Sequence, residues 1–275
     1  MKSLIFFVSL AALANICYSQ HYYNDLVTTQ QTNKQYVLLK AAGIHQVSAK
    51  SYEAGGEPSE DFVLEQTISA NGTSITTTAE YPSTGKSIAV SMYANGRIIK
   101  ATDSTENIKS TTEYLYDNGG NLVSINTHTE DAFMNNASQE IHQWQYENNQ
   151  PIKMLLIKNN VDTTVVDFVK DENGNIAEEH WKKKGRTIEK YFYYYNSQHQ
   201  LTDIVRYNAK AQRLLPDYLF EYDAGDTLVQ LTQVPQGSAN YLVWNYTYLP
   251  NGLKQKELCY NKEKRPVGSI EYTYR

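Results

Sequence analysis

Asp171, Asn173 and Asn175 lie two residues apart in the stretch DENGNIAEE (171–179). At that spacing a loop can offer three oxygen ligands to calcium, with Glu178 or Glu179 beyond. A calcium loop of this kind wants glycine at its sixth position. Here Gly174 is fourth and the sixth residue is Ile176, so turn formation is the preferred reading and calcium the alternative. The histidines (His21, His45, His128, His142, His180, His199) never fall at ligand spacing, so no metal centre and no cofactor are expected. Glu179 sets a carboxylate beside the imidazole of His180, but neighbours on a strand point to opposite faces. Cys259 is alone once Cys17 is lost with a leader, which excludes an intrachain disulfide and reads as an inert thiol. No nucleophile elbow, phosphate loop or dinucleotide fingerprint occurs. The chain is therefore read as non-catalytic. The enzyme alternative is a secreted glycan-directed hydrolase whose carboxylates meet across hairpins.

The remaining candidate chemistry is aromatic. Tyr accounts for 23 of 275 residues, and aromatics recur in pairs two apart. Tyr114 and Tyr116, Trp144 and Tyr146, Tyr193 and Tyr195, Phe220 and Tyr222, and Trp244 with Tyr246 and Tyr248 make one stripe, continued by Tyr272 and Tyr274. Such a stripe can stack on sugar rings or pack against a partner protein. The preferred reading is a core, with alternate-face aromatics inside a curled meander.

The elements that must carry these residues follow from the spacing. Taking Lys170 as the occupant of one vacant slot, the second members fall at 116, 146, 170, 195, 222, 248 and 274, and Tyr93 extends the series backward. Each is followed by a tight-turn sequence and then an aliphatic residue: DNGGNL (117–122), ENNQPI (147–152), DENGNI (171–176), NSQHQL (196–201), DAGDTL (223–228). Asn, Asp and Gly tolerate the positive φ such turns require. Looser turns separate the pairs: DAFMNNAS, KNNVD, KKGR, NAKAQ, VPQGS and NKEKRP. One unit is strand, tight turn, strand, looser turn. Period 2 holds throughout; LVWNYTY (242–248) puts Leu242, Trp244, Tyr246 and Tyr248 on one face and Val243, Asn245 and Thr247 on the other. Leu122, Ile125, Ile152, Leu155, Leu201, Ile204, Leu228 and Leu231 are expected to fill the gaps between the aromatics, with Glu113, Gln143, Gln145, Asp167, Glu221 and Asn245 solvated opposite.

Tyr116, Asp117, Gly120 and Leu122 resemble in full the YD repeat of Rhs and teneurin-type proteins: Tyr-Asp, two variable residues, Gly, one residue, Leu. Tyr222, Asp223 and Leu228 match with Asp226 in the Gly position, and Asp171, Gly174 and Ile176 match with Lys170 replacing Tyr. Degenerate copies cover about 93–275. The resemblance implies β-hairpins joined in one meander, which in Rhs proteins spirals into a shell around a cargo.

The expected fold is all-β: a long antiparallel meander of about 16–18 strands, curled or twisted into an elongated sheet or partial shell. Residues 46–275 form the repeat domain, regular from about 93, and 20–45 a Gln/Asn/Thr-rich arm or cap. Residues 1–19 read as a cleavable signal peptide, with Lys2, an apolar run from Leu4 to Leu13 and cleavage after Ser19. No stretch is apolar enough for a transmembrane helix. The formal charge of −5, with no basic stripe, argues against nucleic acid. These readings point to an exported scaffold or binding module of the periplasm or cell surface, with a glycan or cell-surface protein as partner. The other alternative, an outer-membrane barrel, needs strands of ~9–11 residues with a lipid-facing apolar band. IHQWQYE and TTEYLYD are short and polar on their outer face.

Overall fold

The computed structural model describes residues 20–60, 62–81, 85–208, 212–235 and 238–275. The leader read at 1–19 lies outside the described residues, as do parts of the turns NAKAQ and VPQGS. Eighteen strands, from β1 (Gln46–Glu53) to β18 (Pro266–Tyr274), run antiparallel, each paired with the next. The all-β meander is present as expected. The structure goes further than a partial shell: β18 also pairs with β1, from Val47 opposite Tyr274 to Glu53 opposite Gly268, and closes the sheet into a barrel. Closure removes the two unpaired edges that an open array of this length would expose.

Alternation decides which side chains enter the barrel. On β8 (Asn136–Glu147), Trp144 stands opposite Met154 of β9 (Gln150–Lys158). The same inward row continues to Val166 of β10 (Asp162–Lys170) and Trp181 of β11 (Ile176–Lys183). All are buried. One residue along, Lys153, Asp167 and His180 form an outward row. The outer wall carries cross-strand ion pairs: Lys100–Glu113 at 3.0 Å, Lys182–Asp167 at 2.7 Å and Lys256–Glu271 at 2.8 Å.

The aromatic pairs divide their work. Of the first members, Trp144, Tyr193, Phe220, Tyr246 and Tyr272 are buried in two apolar clusters, and Tyr114 is half-buried beside them. The second members other than Tyr274 sit at β-bulges. Pairing register shifts at Met92/Tyr93, Leu115/Tyr116, Gln145/Tyr146, Val169/Lys170, Tyr194/Tyr195, Glu221/Tyr222 and Thr247/Tyr248. A bulge increases local twist and bends the strand, so seven at one height curl the sheet. Four of the six bulged tyrosines then reach the preceding repeat. Tyr146 donates its hydroxyl to the Leu122 carbonyl at 2.8 Å, Tyr195 to Ile176 at 2.9 Å, Tyr222 to Leu201 at 3.0 Å and Tyr248 to Leu228 at 2.7 Å. Tyr274 donates to Lys254 at 2.6 Å.

Most expected gap-fillers are in place, with Leu122, Ile125, Leu201 and Ile204 buried. Leu155 and Ile152 are not. The turn at Asn148 and Asn149, both at positive φ, is one residue shorter than its relatives. It puts Pro151 opposite Tyr146 and sends Met154 and Leu156 inward instead. Cys259 is buried and free, as expected of an inert thiol.

Residues 20–45 differ most from expectation. A π-helical turn (Tyr22–Val27) runs into α1 (Thr28–Ala41), which ends at Gly43 with φ +66°. Lumens of 16–18-stranded barrels are too wide for wall side chains alone to fill; here the helical segment helps fill one. Tyr36 stacks on Tyr93 with centroids 3.9 Å apart and donates to the Gly72 carbonyl at 2.6 Å. Asn33 Oδ1 accepts from the Ile98 amide at 2.7 Å. Leu39 is buried against Val47 and Trp244, and Leu26 against the cluster containing Trp144 and Phe220. Inward residues from widely separated strands thus meet one segment.

Replacing Tyr195 by Phe removes one hydroxyl and leaves the Ile176 carbonyl without it. Urea unfolding is expected to show a loss of about 1 kcal/mol, whereas Tyr194→Phe, on the outer face, should stay within about 0.5 kcal/mol.

Candidate functional site in the barrel interior

The N-terminal end of the helical segment enters the barrel at a belt of buried polar groups. Helices leave their first amides without partners. Here a strand side chain supplies them: Glu179 of β11, fully buried, accepts the His21 amide at 2.8 Å and the Tyr22 amide at 3.0 Å. Its two oxygens also accept from Trp181 Nε1 at 2.6 Å and from the Tyr193 hydroxyl at 2.5 Å. Burial pushes the carboxyl pKa up, while the four donors oppose the rise. Charge-assisted hydrogen bonds of this kind are among the strongest available.

A second group lies beside it. His21 and Asp25, four residues apart, share one face of the helical turn. Asp25 Oδ2 is 2.7 Å from His142 Nδ1 and accepts from Trp144 Nε1 at 3.2 Å. The other His142 nitrogen is 2.9 Å from Glu140 Oε1, and Glu140 in turn pairs with Lys158 at 2.9 Å. Burial alone would lower the His142 pKa, but Asp25 and Glu140 outweigh it and hold the imidazole up to about 10. Glu140 is pulled down to about 2 by His142 and Lys158, against the effect of burial. His21 is different. Its ring stacks on Trp181 with centroids 4.6 Å apart and meets His142 edge-on, also at 4.6 Å. Among the described residues neither of its ring nitrogens has a hydrogen-bond partner. Burial and the neighbouring cations hold its pKa well below the usual histidine value.

On the far wall Gln20 Nε2 donates to Asp217 Oδ2 at 2.5 Å, and Arg206 Nη2 to Asp217 Oδ1 at 2.9 Å. Arg206 belongs to β13 (Leu201–Asn208) and Asp217 to β14 (Arg213–Tyr222). Tyr22 packs edge-on against Tyr193 and Tyr23 against Tyr218 and Phe220.

The aromatic stripe faces this interior. Trp144, Tyr193, Phe220, Trp244 and Tyr246 are buried, and Tyr114, Tyr116, Tyr146, Tyr195, Tyr222 and Tyr248 are half-buried around them. It lines the lumen: its buried members pack in the interior clusters, and the hydroxyls of Tyr146, Tyr195, Tyr222 and Tyr248 meet backbone carbonyls. The calcium candidate is a turn. Asp171 Oδ1 accepts the amides of Asn173 and Asn175, at 2.9 and 2.8 Å, and Oδ2 accepts Asn175 Nδ2 at 2.9 Å. Asp117 and Asp223 close their turns in the same way. These donors hold the Asp171 carboxyl below its usual range.

Sequence spacing did not reveal Glu179, Asp25, His142 or His21, which come together across 117 to 158 residues of chain. One local signal existed: His21 and Asp25 are four apart, a helical spacing, in a segment too polar to look helical.

No family model matches the chain, and comparison with curated proteins finds no match. Among solved structures, the chain is similar to a porin-like protein from Bacteroides uniformis, with 10% identity, a TM-score of 0.42 and coverage of 84% of this chain and 96% of that one. A porin-like protein from Bacteroides vulgatus aligns at 10% identity and a TM-score of 0.27, over 84% and 98% of the two chains. A chain in the crystal structure of TcdB2-TccC3-Cdc42 aligns at 13% identity and a TM-score of 0.36. That overlay covers 76% of this chain but spans only 12% of the other. With TM-scores below 0.5, none of the three enters the functional reading.

Replacing Glu179 by Ala strands four donors in the lumen and is expected to cost about 3–5 kcal/mol. Glu179→Gln, which keeps an acceptor, should cost less. Thermal unfolding checks the order, and limited proteolysis within residues 20–45 should accelerate in the same order.

Proposed function

We propose that this protein is an exported, non-catalytic scaffold or binding module of the cell envelope, a small shell of YD-like hairpins closed around its own N-terminal segment. The observation that carries this reading is the division of faces. The repeats turn their aromatics onto the helical segment, while the outer wall is laced with ion pairs at mid-strand positions such as Lys100–Glu113 and Lys182–Asp167. A wall of that kind suits water. The partner-binding edge is the looser-turn end, where Phe133, Met134 and Val161 are the most exposed apolar side chains of the described residues. A recess of about 540 Å³, lined by residues including Glu106, Ile108, Asp131 and Asn135, opens beside the first two of them. Glycan and protein partners both fit an edge of mixed apolar and amide groups.

An outer-membrane barrel is the second reading. Its support is the closed, even-numbered, next-neighbour antiparallel topology, which such barrels share. Against it, each outward charge near the bilayer midplane would cost up to ~2–4 kcal/mol. Cell fractionation separates the two. On the first reading the protein leaves the cells in the culture supernatant or an osmotic-shock fraction and stays monodisperse without detergent. Recovery only in detergent, from outer-membrane fractions that resist carbonate, would overturn that reading in favour of the second.

A further inference from the structure

The lumen contains a group whose chemistry the scaffold reading does not use. Ligand atoms of His21, Asp25 and His142 all lie within 4.8 Å of one another, and all three residues are buried. Two imidazoles and a carboxylate are the donor set of many zinc centres, leaving a fourth position for water or another ligand.

Two further observations single this cluster out from an ordinary buried ion pair. The His21 ring has 0% exposure, yet among the described residues both its nitrogens lack a partner. An unsatisfied polar group is costly to bury, and a cation placed between His21, Asp25 and His142 would take up one of the two His21 nitrogens. The surroundings are also those of metal ligands. A ligating histidine characteristically gives its remaining N–H to a carboxylate, which fixes the ring and raises its basicity. His142 has that arrangement: Nδ1 faces Asp25, and Nε2 faces Glu140 at 2.9 Å. Asp25 is oriented in turn by Trp144 Nε1, and His21 by its stacking on Trp181. Glu140 is only partly buried and pairs with the more exposed Lys158, so a polar route leads from the looser-turn side of the lumen towards His142.

We propose that His21, Asp25 and His142 bind one divalent transition-metal ion of the Zn²⁺ type inside the barrel. Binding displaces the proton shared by His142 and Asp25, as metal binding to imidazole must. Two ligands come from the N-terminal helical turn and one from β8, so the ion ties the plug to the wall. The inference stands apart from the scaffold reading and from the outcome of fractionation.

The test uses purified full-length protein, stripped with a chelator and titrated with Zn²⁺ and Co²⁺. The expected result is one equivalent of Zn²⁺ retained through gel filtration by elemental analysis, visible d–d bands for Co²⁺, and a Tm raised by roughly 5 °C at saturating metal. His21→Phe keeps a ring against Trp181 without ligand atoms and should weaken Zn²⁺ binding at least about 100-fold. Asp25→Asn should do the same while still accepting from Trp144. The proposal is overturned if the stripped, folded wild type takes up neither ion, or if either variant binds as tightly as wild type. Should His21→Phe fail to fold, the Asp25→Asn titration and the imidazole couplings in the Cu²⁺ electron-spin-echo spectrum of the wild type still decide it; their absence also overturns the site.

Discussion

Tyrosine hydroxyls joined to backbone carbonyls of the preceding repeat are the contacts on which this architecture depends. Tyr146, Tyr195, Tyr222 and Tyr248 each reach back across a hairpin to the residue that follows the previous tight turn. In each of these four a bulge lies immediately before the tyrosine. Bulge and hydrogen bond recur together in these four units, and a bulge without the bond recurs at Tyr93, Tyr116 and Lys170, so increments of bend are added along the sheet. Accumulated over the repeats, those increments let β18 meet β1. A flat meander built from the same alternation would leave its aromatic face exposed.

A barrel this wide would be hollow without a filler, and the filler brings its own cost. The N-terminal segment carries amides, Asp25 and two histidine nitrogens into the interior. The wall meets most of them with complementary groups from several strands: Glu179 for the amides, His142 and Trp144 for Asp25, Asp217 for Gln20. Buried polar networks of this sort rigidify a structure when every member is satisfied. They also specify one seating for the helix, since sliding it by a turn would strand each donor opposite the wrong acceptor.

Repeat order was legible from residue 93 onward because a tight turn, a bulge and a paired aromatic are all local. Asp117, Asp171 and Asp223 could be read as turn residues from their shared context, and hydrogen bonds close the turn at all three. Closure was not legible: pairing of Val47 with Tyr274 leaves no trace in either strand. The short Asn148–Asn149 turn misled the reading of Leu155 for a related reason, since one residue fewer inverts the inward parity of the next strand. The helix at 28–41 escaped notice because its Thr and Asn residues have middling propensity and its buried face is narrow. Its buried residues pack on the lumen wall, a tertiary support that no local pattern displays. The interior cluster was hidden for that same reason: His21 and His142 are brought together only by a helix whose existence depends on the barrel around it.

Pairing of β1 with β18 changes what kind of repeat protein this is. In an open solenoid, stability grows roughly as a sum over neighbours, and units can be lost from an end with proportionate effect. A ring has no end to fray. Losing one hairpin shrinks the circumference and moves every wall residue relative to a plug of unchanged size. The number of repeats is therefore held by the diameter of the helix inside, and evolutionary gain or loss of a hairpin must be matched by a change in a segment that precedes all of them in the chain.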